Sequence, residues 1–159
     1  MKTAYLSLGS NVGDRAVNIE RGLELLECPE LHMVSRSALY ETEPQELRAQ
    51  PWFLNMVAAV ETSLYPRQLL SRIAHVEREM GRQHVVHKGP GTLDIDILLF
   101  GTAIIDMPDL MIPHPAMAAR RFVLEPLAEI APDLRHPVLG RTIRDLLAGI
   151  KGQEVRRSE

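Results

Sequence analysis

Asp94 and Asp96 stand two residues apart inside the apolar run Thr92-Leu93-Asp94-Ile95-Asp96-Ile97-Leu98-Leu99-Phe100. Successive side chains on a strand point to opposite faces, so the two carboxylates share one face and Ile95 and Ile97 the other. Two ionised carboxylates side by side repel, and they lose hydration if buried. A divalent cation relieves both costs. Hard oxygen ligands on a rigid element suit Mg²⁺, which takes one or two carboxylates and leaves room for phosphate oxygens. Basic residues flank the pair. Arg82, His84, His87 and Lys88 precede it, and His114, Arg120 and Arg121 follow. A polyphosphate needs cations of this kind beside its metal, and Arg offers a planar bidentate fork.

The elements that must position these groups can be read from periodicity and turn chemistry. Ala4 to Leu8 reads as a strand running into the turn Gly9-Ser10-Asn11. Val17, Ile19, Leu23, Leu25 and Leu26 recur at helical spacing, with Asp14 as a cap. His32 to Glu41 alternates weakly as a second strand. Residues 42–51 carry two prolines and no hydrophobic period, so they read as a loop. Phe53 to Glu61 is a third strand, with Phe53, Asn55, Val57, Ala59 and Glu61 on one face. Pro66 opens a second helix with the stripe Leu69, Leu70, Ile73, Val76 and Met80, and Gly81 is its expected stop. Gln83 to Gly91 is a basic loop, and Leu93 to Phe100 is the fourth strand. Ala103 to Ile105 reads as a short hairpin arm. Short helices are expected near Ala116–Arg120, Leu124–Ile130 and Thr142–Leu147, and a frayed tail over Lys151–Glu159. The order β-α-β-β-α-β with a C-terminal extension predicts an α+β, ferredoxin-like antiparallel sheet with both helices on one face.

Composition narrows the function. A chain of 159 residues, 45% hydrophobic and 25% charged, fits one globular domain, with a core over residues 1–132 and an extension over 133–159. A net charge of −3 argues against general binding to nucleic acid or a membrane surface. Two acids on the fourth strand argue against RNA on the sheet in particular. Cys28, the one cysteine, excludes an intrachain disulfide. No stretch has the length of a membrane span or the pattern of a signal peptide. A monomeric cytoplasmic protein is expected.

Six segments in order carry a resemblance: Gly9-Ser10-Asn11; Tyr40-Glu41-Thr42-Glu43-Pro44; Phe53-Leu54-Asn55; Glu77 with Gly81-Arg82; Gly89-Pro90 through Asp94-Ile95-Asp96-Ile97; and Pro113-His114-Pro115 with Arg120 and Phe122. Together they span the chain from the first strand to about Pro132. The chain resembles the 6-hydroxymethyl-7,8-dihydropterin pyrophosphokinase family, which moves a pyrophosphoryl group from ATP to a pterin alcohol. The resemblance implies that Asp94 and Asp96 hold two Mg²⁺ ions and form a catalytic set with Arg82 and Arg120. It implies that Phe53 and Phe122 sandwich the pterin while Asn55 bonds its edge, helped by the loop around Thr42 and Pro44. Arg82, Lys88, His114 and Arg120 would meet ATP phosphates, and Glu77 and Ile97 the nucleoside. The physics agrees: a flat heterocycle stacks between aromatic rings, and an amide offers both the donor and the acceptor a pterin edge needs. The competing reading is a non-catalytic nucleotide- or pterin-binding regulator on the same scaffold.

The chain departs from the family pattern at Gly91, where an arginine is usual, at Lys88, where an aromatic residue is frequent, and at His84, in place of a second arginine. Loss of a preorganised phosphate clamp costs on the order of a few kcal/mol of transition-state stabilisation. Restoring the charge with Gly91→Arg is therefore expected to raise kcat or tighten ATP. Steady-state kinetics with no gain in either would remove the missing-clamp argument.

Overall fold

Alternation along the strands and a stripe on each helix decide how the layers pack. In the computed structural model, which describes residues 1–43, 52–82 and 92–158, the order is β1 (Lys2–Ser10), α1 (Arg15–Leu26), β2 (Leu31–Arg36), β3 (Tyr40–Thr42), β4 (Phe53–Thr62), α2 (Pro66–Arg82), β5 (Asp94–Phe100), β6 (Ile105–Met107), β7 (Leu110–Ile112), α3 (Arg121–Ile130), α4 (Ile143–Ala148) and β8 (Val155–Arg157). The main sheet runs β5-β1-β4-β3-β8, with β2 also on β4. Each of its pairings is antiparallel. This is the expected ferredoxin-like arrangement.

One face of the sheet meets α1 and α2. Leu6 and Leu8 of β1, Leu54, Met56, Ala58 and Val60 of β4, and Ile95 and Ile97 of β5 pack there against Ile19, Leu23 and Leu26 of α1 and Leu69, Ile73, Val76 and Met80 of α2. Asp14 caps α1, its carboxylate accepting from the Val17 N–H at 3.2 Å. Val17 itself is exposed, so the stripe of α1 is narrower than its sequence suggests. Helix α2 continues through Gly81 to Arg82, so Gly81 does not stop it.

The other face carries a second core, in which Val57 and Leu98–Leu99 meet Val123, Leu124 and Leu127 of α3 and Ile143 and Leu146 of α4. The C-terminal extension is thus a layer over the sheet. A bulge helps to build it. Leu6 pairs with Ile97 and Tyr5 with Leu99, so Leu98 is the extra residue. Its carbonyl accepts from the His114 N–H at 2.9 Å, which ties the Pro113–Pro115 loop to β5.

Three sequence expectations change. The strand expected over His32–Glu41 is two strands. Between Arg36 opposite Ala58 and Tyr40 opposite Asn55 the chain carries one extra residue, and Ser37 keeps the ladder satisfied by accepting from the Val57 N–H at 3.0 Å. The arm expected over Ala103–Ile105 does not pair back on β5: Ile105–Met107, two residues later, pairs with β7 in a separate two-stranded sheet. The tail is not frayed throughout: Val155–Arg157 pairs with β3 and covers backbone groups an edge strand would otherwise leave open.

Glu129 of α3 fastens the second layer to β3. It accepts from the Tyr40 hydroxyl at 2.5 Å and from the Ala38 N–H at 3.0 Å, and it lies 3.4 Å from Arg157. Burial and the Glu129 carboxylate together push the Tyr40 phenol up to about 12. The proton is held more tightly folded than unfolded, so this contribution to stability is complete below pH ~10 and is lost as pH rises towards 12. Tyr40→Phe is expected to cost about 1–2 kcal/mol at neutral pH. It should also remove one phenol from the high-pH end of a tyrosine absorbance titration. An unchanged melting temperature and titration would show that the link carries nothing.

Candidate active site

The register of three strands builds the site. Gly9 of β1 pairs with Asp94 on one side and with Asn55 on the other, and Asn55 pairs onward with Tyr40. Directly paired residues in a sheet point to the same face, so Asp94, Gly9, Asn55 and Tyr40 form one row across it. Neighbouring strands lie about 4.8 Å apart, which sets Asp94 and Asn55 roughly 10 Å from each other with a glycine between them. The next row holds Asp96, Ser7 and Val57. Val57 lies in the second core, so both rows belong to the α3 face, opposite α1 and α2.

Gly9 must be small. A Cβ there would meet the Asn55 Oδ1 at 2.6 Å. The amide cannot easily retreat, because Asn55 is 5% exposed and its Nδ2 donates to the Thr42 Oγ1 at 2.7 Å. Thr42 is equally buried and pairs with Phe53. Gly9 and Ser10, expected in a turn, are the last residues of β1, and the strand end is fixed from both sides. Ser10 Oγ donates to the Thr92 carbonyl at 2.8 Å, and the Asn18 amide donates to the Val12 carbonyl at 2.8 Å.

The acidic side has its own supports. Asp94 and Asp96 both reach solvent. Partial burial and then the charge of Asp96 push the Asp94 carboxyl above its ordinary range. Glu77 of α2 accepts from the Ile95 N–H at 2.9 Å, so it holds the backbone between the two aspartates. Its carboxyl is raised chiefly by burial; the Ile95 bond opposes this, and the charges of Asp94 and Asp96 add to it. On the other flank the His114 Nε2 lies 3.9 Å from Asp96 Oδ2. The His114 Nδ1 accepts from the Ala116 N–H at 3.1 Å, which assigns the proton of the neutral ring to Nε2. Burial lowers the His114 pKa; Asp96 opposes this and Arg120 reinforces it. The Arg120 guanidinium in turn lies 5.4 Å from the centre of the Phe122 ring.

The structure therefore brings Asp94, Asp96, Glu77, His114 and Arg120 into one electrostatic group, and Thr42, Asn55 and Phe53 into another across Gly9. Phe122 lies in the first turn of α3, half-buried against the second core. Ile97 points its side chain into the α1/α2 core, so only its main chain is available to a ligand. Pro44, Lys88, Gly91, His84, His87 and the Arg82 side chain lie outside the described residues. Sequence reasoning missed the role of Gly9 as the gap in the row, for which its pairing with two strands is the signal. It also missed Glu77 as a backbone support. Among the described residues no group of three or more metal-ligating side chains occurs. Two carboxylates with most of a coordination shell left over are what a cation shared with phosphate oxygens requires, so the residues present fit Mg²⁺.

A ferredoxin-like sheet with a carboxylate pair, flanking cations and a buried amide on one face has the parts that holding a metal-bound phosphate group requires. Comparison with known proteins makes this specific. The profile of the 7,8-dihydro-6-hydroxymethylpterin-pyrophosphokinase family matches residues 5–132. A 2-amino-4-hydroxy-6-hydroxymethyldihydropteridine pyrophosphokinase of Pseudomonas aeruginosa is 43% identical over 158 residues, covering 99% of this chain and 97% of its own. The folic acid synthesis protein fol1 of Pneumocystis carinii is 40% identical over 155 residues, and the match covers 98% of this chain but only 21% of that longer protein. Among solved structures, Plasmodium falciparum HPPK-DHPS with pteroate superposes with a TM-score of 0.75 at 20% identity, over 92% of this chain and 42% of that one. The chain belongs to the 7,8-dihydro-6-hydroxymethylpterin-pyrophosphokinase family, ATP-dependent transferases of folate synthesis.

Gly9→Ala tests the row. The added methyl is expected to displace the Asn55 amide, at a cost of about 1–3 kcal/mol from overpacking, and to raise KM for the pterin more than KM for ATP. Gly81→Ala, with nothing among the described residues within 4 Å of its new Cβ, is the control and should stabilise α2 by about 0.5–1 kcal/mol. Equal melting temperatures and unchanged pterin KM in Gly9→Ala would refute the gap.

Proposed function

We propose that this chain, acting as a single-domain monomer in the cytoplasm, transfers the pyrophosphoryl group of ATP to 6-hydroxymethyl-7,8-dihydropterin across the Asp94–Gly9–Asn55 row. That row is the observation that supports the reading: it sets an aspartate and a buried amide on one sheet face, about two strand spacings apart. The pterin stacks between Phe53 and Phe122 with its amide-like edge on Asn55, and Thr42 and Pro44 line the same pocket. Asp94 and Asp96 hold two Mg²⁺ ions. These, when bound, supply charge neutralisation for the phosphates and lower the cost of bringing an alcohol up to them. Arg120, His114, Arg82 and Lys88 meet the phosphates, while Glu77 and the main chain at Ile97 border the nucleoside.

The pterin hydroxyl oxygen forms a bond to the β-phosphorus, and the bond from that phosphorus to the α–β bridging oxygen breaks. The electron pair leaves with AMP. The hydroxyl proton goes to solvent. Most of the rate enhancement in such a transfer comes from positioning and from charge stabilisation. The supports on the acidic side suit that role. Glu77 holds the Ile95 N–H, and the Pro113–Pro115 loop is tied to Leu98, so the backbone that carries the aspartates and His114 is held before substrate arrives.

AMP formation from MgATP, with and without 6-hydroxymethyl-7,8-dihydropterin, tests this on the wild type, Asp94→Ala and Asp96→Ala. The wild type is expected to form AMP only with the pterin, and either substitution to lower kcat by about 100-fold or more. Binding of both substrates with no AMP would instead make the chain a pterin- and nucleotide-binding regulator.

A further inference from the structure

The C-terminal segment touches both halves of the pocket. After α4 the chain passes Ile150 and turns at Gly152 (φ 75°) and Gln153 (φ 57°). A glutamine in the left-handed region is held against its preference, so the surroundings must favour that turn. The turn aims the Gln153 side chain back at the start of α3. Its Oε1 accepts from the Arg121 N–H at 2.9 Å, and its Nε2 donates to the Ala119 carbonyl at 2.9 Å. Arg121 answers with its own side chain, Nε to the Gly152 carbonyl at 3.1 Å and Nη2 to the Ile150 carbonyl at 2.8 Å. These bonds grip the residues on either side of Arg120, next to Phe122. Arg120 at the N-cap of α3 makes no side-chain capping bond of its own among the described residues, so Gln153 supplies from a distance what the local sequence lacks.

Three residues later the same segment grips the opposite wall. Strand β8 pairs Val155 with Thr42 and Arg156 with Glu41. The Arg156 guanidinium lies 4.3 Å from the centre of the Trp52 ring, the residue before Phe53, and 3.8 Å from Glu41 Oε2. Arg15 completes the clamp. It donates to the Trp52 carbonyl at 2.8 Å and lies 3.6 Å from the same Glu41 oxygen. The ends of β3 and β4, which carry Thr42 and Phe53, are therefore fastened by side chains beyond their own ladder.

We propose that segment 150–157 is a brace that fixes the two aromatic walls of the pterin pocket relative to each other, with Gln153 and Arg156 as positioning residues. This rests on the reading of Phe53 and Phe122 as those walls. A flat ring held between two others tolerates little change in their separation, because dispersion contact falls off within 0.5–1 Å. Neither Gln153 nor Arg156 is assigned contact with a substrate. The bonds of the brace run to β3, Trp52 and the start of α3, so its Arg156 end is remote from β5, while its Gln153 end also holds the backbone on either side of Arg120.

Steady-state kinetics on the full chain tests it with Gln153→Ala, Arg156→Ala and Arg156→Lys. Each alanine variant is expected to raise the pterin KM roughly threefold to tenfold, in the range a small misplacement of a bound reactant produces. In Arg156→Ala, KM for ATP and kcat at saturating pterin should stay at wild-type values, whereas Gln153→Ala, which releases the backbone on either side of Arg120, should raise KM for ATP as well; the melting temperature should fall by a few degrees at most in both. Arg156→Lys, which keeps the charge for Glu41 but gives up the planar contact with Trp52, should fall between. An unchanged pterin KM in both alanine variants would overturn the brace, as would a parallel rise in both KM values of Arg156→Ala with a large loss of melting temperature. A wild type that releases AMP regardless of the pterin would overturn the pocket itself and the brace with it.

Discussion

Gly9 is the residue on which the site depends, because it is the only member of its row without a side chain. An antiparallel sheet forces directly paired residues onto one face. With Gly9 between Asp94 and Asn55, that rule makes a carboxylate and an amide face the same side with no β1 side chain between them. A slip of one residue in either ladder would turn Asp94 and Asp96 into the core that α1 and α2 fill, where Ile95 and Ile97 now sit. The hydrophobic pattern of β5 and the register of the site are therefore one constraint. Burial of the two isoleucines is what holds the two aspartates outward.

The electrostatics are arranged around that geometry. Asp94, Asp96 and Glu77 repel one another, and two of the three carboxyls are raised by burial and by like charge. Bringing like charges together without a cation costs free energy, a cost the rest of the fold offsets. Glu77 recovers part of it by accepting from the Ile95 N–H. His114 and Arg120 stand on the other flank, with the Pro113–Pro115 loop held to the carbonyl that the Leu98 bulge exposes. Without the bulge that carbonyl would be in the ladder with β1, and the loop would lack its anchor.

Much of this is legible in the residues. The βαββαβ order follows from periodicity, which is regular in β4, α2 and β5 and weak over His32–Glu41. The aspartate pair stands out because charge in an apolar strand is rare. Other features have no local signal. Ser37 reads as one more residue of an alternating strand, yet its hydroxyl replaces a ladder bond and divides that strand in two. Val155–Arg157 reads as a polar tail, yet an open edge on β3 and the charges of Glu41 and Glu129 draw it into the sheet. Gln153 carries no sign in the sequence that it will cap a helix beginning 32 residues earlier. These are long-range effects, decided by which backbone groups the rest of the fold leaves unpaired. The family motifs single out candidate site residues more sharply than the physics of any one of them, because a lone Phe or Asn has an ordinary structural use.

The most direct measurement is a crystal structure of the chain with Mg²⁺, a non-hydrolysable ATP analogue and 6-hydroxymethyl-7,8-dihydropterin. The account predicts a planar ring between Phe53 and Phe122 with its edge on Asn55, Mg²⁺ on Asp94 and Asp96, and the pterin hydroxyl lying above Gly9 and pointing at the β-phosphorus. Pterin bound away from Asn55, or metal held without either aspartate, would contradict it.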